Sequence, residues 1–95
     1  MNNLQRELHD SLLGVRDELL VAVMPHAEDK YELKAYELMV KRLEAMAGEI
    51  CSGALPHRTK RYGYLARTAA EANPRVLDPE LGGRIIDLER RYRDL

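Results

Sequence analysis

Residues 30–52 read KYELKAYELMVKRLEAMAGEICS, and the facing of this stretch decides the fold. Its polar residues Lys30, Lys34, Glu37, Lys41 and Glu44, continued by Gly48, fall on one narrow stripe of a helix. Tyr31, Ala35, Leu38, Met39, Val40, Leu43, Met46, Ala47 and Ile50 cover most of the remaining circumference. A helix that is apolar over so much of its surface is packed by several neighbours, so residues 30–52 are expected to form the central helix of an all-α bundle. Asp29 with Glu32 supplies a capping-box start. Gly53 and Pro56 supply the stop.

Upstream, Leu8, Leu12, Val15, Leu19 and Ala22 recur at steps of three and four, which places them on one helical face, and Leu4, Leu13, Leu20 and Val23 widen that face. Asn2 with Gln5 caps the start and Pro25 marks the end, giving a helix over about residues 3–24. Downstream, Tyr62, Leu65, Ala69 and Ala72 carry the same period, and Asn73-Pro74 ends a short third helix over 59–72. Asp78-Pro79 opens a fourth over 79–95, because proline at the first helical position forfeits no hydrogen bond. Leu81, Ile85, Leu88, Tyr92 and Leu95 form its apolar face. Glu80 with Arg84, Asp87 with Arg91 and Glu89 with Arg93 stand four apart in the favourable order. Strand alternation, internal repeats and long linkers are absent from the sequence, so residues 1–95 are read as one helical domain of four helices in an up-down antiparallel arrangement.

Composition fits that reading. Of 95 residues, 45% are hydrophobic and 33% charged, a balance that suits a folded domain rather than a membrane span or a disordered chain. All five aromatics are tyrosines, leaving Leu, Ile, Val, Met and Ala to build the core. The apolar run Leu19 to Met24 is too short for a signal or membrane segment, and the single Cys51 suits a reducing compartment, so a cytoplasmic location is expected. The net charge of -1 hides a polarity: the first fifty residues hold six Lys/Arg against ten Asp/Glu, the rest nine against six. Such a dipole suits steering of a partner, or nothing more than differently solvated helix faces.

Chemistry-bearing motifs are sparse. His9-Asp10 and the grouping of His26 with Glu28 and Asp29 lack the i,i+3 or i,i+4 ligand spacing of helical metal sites. Nothing beside Cys51 or Ser52 specifies an oriented base, and Gly82-Gly83 is not a phosphate cradle. Neither a metal nor another cofactor is expected, and the sequence leans away from an enzyme. The most suggestive stretch is His57 to Tyr64, where Arg58, Lys60 and Arg61 interleave with Tyr62 and Tyr64 at the expected start of the third helix, and Arg67 extends the patch by a turn. Cations at a helix N-terminus oppose its dipole, so a phosphate or an acidic partner would resolve the conflict. Arg58, Lys60, Arg61, Tyr64 and Arg67 are therefore the candidate residues for binding a partner or an anion.

The segment Leu13 to Glu49 contains Val15-Arg16-Asp17-Glu18-Leu19-Leu20, Met24-Pro25 and Ala35 through Leu43-Glu44. It is followed by Cys51-Ser52-Gly53-Ala54-Leu55, Leu65-Ala66-Arg67 and Ala72-Asn73-Pro74-Arg75. Over about residues 8–77 this pattern resembles a family of small bacterial helical domains encoded beside aminoglycoside-phosphotransferase-like kinases and acyl-CoA dehydrogenases. The fourth helix lies outside the similarity. The resemblance implies an accessory role next to a kinase-like or acyl-CoA enzyme and offers no catalytic residue to carry over.

Two functions follow as expectations. The first is a non-catalytic interaction module that forms a homo-oligomer or serves a larger protein partner, since a core this small gains from association and the first helix has two apolar flanks. The alternative is a small nucleic-acid-binding regulator using the basic stretch, although the third helix offers mostly alanine beyond Arg67 where a recognition helix needs polar readers.

Overall fold

The structure, a computed structural model, describes residues 1–26, 30–61 and 65–95. The Asp29–Glu32 cap, the grouping of His26 with Glu28 and Asp29, the facing of Tyr31, and Tyr62 and Tyr64 lie outside the described residues and side chains. Four α-helices and no strand occur among the described residues: α1 (Asn3–Val23), α2 (Lys30–Ser52), α3 (Leu65–Glu71) and α4 (Pro79–Arg93). The protein is an all-α bundle.

Local chemistry sets the ends of these helices. The Asn2 side chain accepts from the Gln5 amide at 2.8 Å, and the Gln5 side chain accepts from the Asn2 amide at 3.2 Å, so two otherwise orphaned donors are satisfied reciprocally. Pro25 falls in a 3-10 turn, Met24–His26, that closes α1. Beyond Ser52, Gly53 adopts a φ of 72°, a left-handed conformation that glycine enters without a Cβ penalty, and this stops α2. Asp78 accepts from the Glu80 amide at 3.3 Å, with Pro79 next to it at the start of α4.

Pairings along the helices fix their directions. Leu20 of α1 and Met24 just beyond it share a groove with Leu33 and Tyr36 of α2, whereas Arg16, earlier in α1, reaches Glu44, later in α2. Those two helices are antiparallel. Likewise Leu4 lies near Arg90 and Leu95, while Glu18 lies beside Arg84, so α4 also runs antiparallel to α1. Ala69 of α3 backs onto Gly82, and the main chain at Leu65 and Ala66 hydrogen-bonds Glu89, so α3 in turn opposes α4. The order is up-down-up-down, with α3 as a short third member, in a body of 39 × 23 × 20 Å.

The core runs the length of α1, with Leu8, Leu12, Val15 and Leu19 facing Met39, Leu43, Met46 and Ile50 of α2 and Ile85, Leu88 and Tyr92 of α4. The helix that packs most extensively on two neighbours is α1, against α2 and α4, rather than α2. Correspondingly, α2 is less apolar than the sequence suggests: Leu38 is exposed, and Val40 and Ala35 are only partly covered. Tyr36 takes a core position that the sequence pattern does not assign it.

The ion pairs of α4 also differ from those its spacing suggests. Arg84 makes two 2.8 Å hydrogen bonds to both carboxylate oxygens of Glu18 on α1, rather than an ion pair with Glu80. This fork-to-fork geometry joins the two helices. The Arg84 guanidinium, hydrogen-bonded to Glu18, holds that carboxyl below its ordinary pKa. Asp87 pairs with Arg90 rather than Arg91.

Candidate functional site

Both ends of the bundle carry candidate features, and their chemistry is opposite. At one end sits the basic stretch singled out from the sequence. Arg58 and Lys60 belong to a 3-10 turn, Arg58–Lys60, that precedes α3 as a separate element, and both are exposed. The His57 ring stands 2.9 Å from the Thr59 hydroxyl and steadies this turn. Arg67 is exposed on α3 beside Glu71, 3.2 Å away. Arg61 is different. It is buried, and its guanidinium donates to the Pro56 carbonyl at 2.8 Å and to the main-chain oxygen of Leu95 at 2.9 Å. The side chain therefore ties the connection after α2 to the end of α4. The patch thus brings Arg58 and Lys60 together at the surface, places Arg67 further along α3, and uses Arg61 internally; Tyr64 lies outside the described residues.

The acidic group that the start of α3 calls for is supplied by the chain itself. Glu89 of α4 is only 2% exposed, and its carboxylate accepts from the main chain at Ala66 and Leu65. A carboxylate at this position meets amides that α3 leaves without helical partners. Burial nevertheless dominates, and the Glu89 carboxyl is pushed above its ordinary pKa; the Ala66 and Leu65 hydrogen bonds and the positive charges of Arg93 and Arg42 oppose that shift. Its Oε2 atom and Nε of Arg42 have no hydrogen-bond partner among the described residues.

Next to Glu89, Tyr92 is fully buried and donates its hydroxyl in a short hydrogen bond to the Glu49 carboxylate of α2. The Arg42 guanidinium lies over the Tyr92 ring, 5.5 Å from its centre, a cation–π arrangement. Desolvation, reinforced by the Glu49 carboxylate, pushes the Tyr92 phenol up to about 12. Sequence spacing identifies Tyr92 as a core residue but gives no sign of this polar cluster. Its members come from α2, α3 and α4, which only tertiary packing brings together.

At the opposite end, where α1 turns into α2, a groove of about 670 Å³ opens between the two helices. Its walls include Leu20 and Val23 from α1, Met24 from the turn that follows, and Leu33, Tyr36 and Val40 from α2, with Glu37, Lys41 and Glu44 along the rim. Leu20 is 45% exposed and Met24 73%, and neighbouring Val21 is 69% exposed. The widened apolar flank of α1 signals this surface in the sequence, since Leu20 and Val23 exceed the single stripe needed for α2 and α4. The partial exposure of Leu33 and Val40 is not visible there, because a buried and a groove-lining apolar residue read alike.

No protein-family model, curated protein or solved structure matches this chain.

What the groove can do is bind apolar surface. Among the described residues no three His, Cys, Asp or Glu side chains gather as metal ligands, and no helix is long and apolar enough to cross a membrane. His9 faces the neighbouring Asp10 at 3.0 Å. Glu89 and Tyr92 are buried and Glu49 and Arg42 half-buried, and what this cluster visibly does is join α2 to α4 and meet the main chain of α3.

Proposed function

We propose that this protein is a non-catalytic helical interaction module that docks protein through the apolar groove between the end of α1 and the first half of α2. One observation carries the reading: Leu20 and Met24 stand exposed on a groove of about 670 Å³ lined from α2 by Leu33, Tyr36 and Val40. An apolar cleft with a charged rim is the usual form of a helix-binding surface, where a few apolar anchors carry affinity and the rim sets orientation. The family resemblance adds a setting, an accessory role beside a kinase-like or acyl-CoA enzyme. The nucleic-acid alternative has less support, since Arg61 is engaged inside the fold and Glu89 already answers the start of α3.

The test is the double substitution Leu20→Glu, Met24→Glu. Both sites are exposed, so circular dichroism should show an unchanged helical fold. Association, followed by sedimentation of the purified chain and by quantitative affinity capture, should be lost in the variant and present in the wild type. Equal association by the folded variant would sink the groove as the contact surface.

A further inference from the structure

We infer that the occupant of this groove is a second copy of the chain, paired antiparallel through α2 about a two-fold axis near residue 39. The inference rests on the groove being a protein-docking surface and adds which protein it takes. Its basis is the order of charges along the face of α2 that carries the rim residues Glu37, Lys41 and Glu44. Lys34, Glu37, Lys41 and Glu44 share one stripe of α2 and alternate in sign. The alternation is antisymmetric about position 39: Lys34 and Glu44 lie equally far from it, and so do Glu37 and Lys41. An antiparallel copy of the stripe therefore sets Lys34 against Glu44 and Glu37 against Lys41, each twice. An isologous interface has this property, because every contact is made reciprocally. A parallel in-register copy would oppose like charges throughout.

Among the described residues three of these four charges are unpaired and the fourth is half-exposed. Lys34, Glu37 and Lys41 are exposed, and among the described residues none of them forms an ion pair, although Glu37 and Lys41 stand four apart on one helix in the favourable order. Glu44 lies 3.6 Å from Arg16 and keeps about half its side chain in solvent. Further along the stripe, Gly48 is exposed with open space where a Cβ would stand, so the helix surface there is low enough for close approach. Beside the stripe, the apolar walls from Leu33 and Val40 supply the area that rim charges alone do not. Charge order then selects register and partner, as it does in other helical pairings.

The experiment is a charge exchange read by sedimentation equilibrium. Wild type should form a dimer. Lys41→Glu alone sets a carboxylate against Glu37 of the other copy, and Glu37→Lys alone sets two ammonium groups together, so each should dimerise at least tenfold more weakly. An equimolar mixture of the two variants restores opposite signs at every position and should give a heterodimer close to wild-type affinity. The double exchange Glu37→Lys, Lys41→Glu in one chain should restore the homodimer. A wild type that stays monomeric at several hundred micromolar overturns the inference. So does a dimer indifferent to the single reversals, or a mixture that fails to pair. These failures are distinguishable from failure of the groove itself: a monomeric wild type that still binds a purified partner, and loses it on Leu20→Glu, Met24→Glu, keeps the docking surface and rejects the second copy.

Discussion

The two ends of this bundle solve opposite problems. Where α2, α3 and α4 converge, polar groups are carried inside: Glu89 meets the start of α3, Tyr92 reaches Glu49, and Arg61 binds main-chain oxygens of Pro56 and Leu95. Where α1 turns into α2, apolar groups are left outside: Leu20, Val21 and Met24 are exposed next to an open groove. A buried polar group holds its place only with specific partners, so the first end has few alternative packings. An exposed apolar group gains by finding a partner, so the second end is where association is favoured. On the proposed docking role the contrast separates stability from interaction, and substitutions at the two ends should register in different measurements.

The largest expected effect tests the core that both ends share. Leu43 is fully buried on α2, and Leu43→Asp places a charge with no partner there, an expected loss of about 3–5 kcal/mol. Two positions on, Ala45 is exposed, and Ala45→Asp should cost under about 1 kcal/mol. Urea denaturation of the two variants decides the facing of α2. If Leu43→Asp unfolds at the wild-type midpoint, the core described here is wrong, and the contrast between the ends goes with it.

The next effect isolates the closed end through pH. The Tyr92 phenol has a folded value of about 12 against an ordinary value near 10. A group whose folded pKa is raised contributes stability that is fully present below its unfolded value and is lost as pH rises through its folded value. Stability should therefore fall between about pH 10 and pH 12, by about 2–3 kcal/mol from this tyrosine, since each pKa unit corresponds to about 1.4 kcal/mol. The control is Tyr92→Phe, which removes this step and leaves the rest of the alkaline profile unchanged. Matching alkaline profiles for wild type and Tyr92→Phe would mean that the closed end does not hold its phenol as described.

How much of this was legible in the sequence follows from what period and punctuation record. The apolar faces of α1 and α4 are read almost residue for residue, because Leu8, Leu12, Val15 and Leu19, and Leu81, Ile85, Leu88 and Tyr92, keep strict helical spacing. The caps at Asn2 and Asp78 are read because they depend on local hydrogen bonds. What spacing cannot carry is contact between elements far apart in the chain. Arg84 meets Glu18 rather than Glu80, and burial of Glu89 depends on α3 arriving above it. Tyr36 and Leu38 show the same limit within one helix: the pattern counts Leu38 as apolar face and passes over Tyr36, and the placement of α1 leaves Leu38 exposed and buries Tyr36. The groove is half legible, as surplus apolar residues on α1, and the basic stretch illustrates the converse. Its charges are plain in the sequence, but the division between the internal Arg61 and the surface pair Arg58 and Lys60 is a product of the fold.

That division gives the smallest and most discriminating contrast, between adjacent cations. Arg61→Ala removes two charge-assisted hydrogen bonds to main-chain oxygens and should lower stability by about 1.5–2 kcal/mol. Lys60→Ala, next to it, should stay within about 0.5 kcal/mol of wild type because its ammonium is solvated. The same contrast constrains any nucleic-acid complex. If all four cations Arg58, Lys60, Arg61 and Arg67 neutralised phosphates, log affinity would fall against log salt with a slope of about -3.6; with Arg61 held inside, three remain and the slope is about -2.7. A contribution of three phosphates gives weak, sequence-indifferent binding at most. The expected result is thus no appreciable duplex DNA binding at near-physiological salt, with Lys60→Glu changing neither stability nor self-association at the far end of the bundle. Micromolar DNA binding with the steeper slope, abolished by reversal at Arg61 in a chain that remains folded, would show that Arg61 leaves its carbonyl partners for phosphate. The basic end would then be the functional one and the groove a secondary feature.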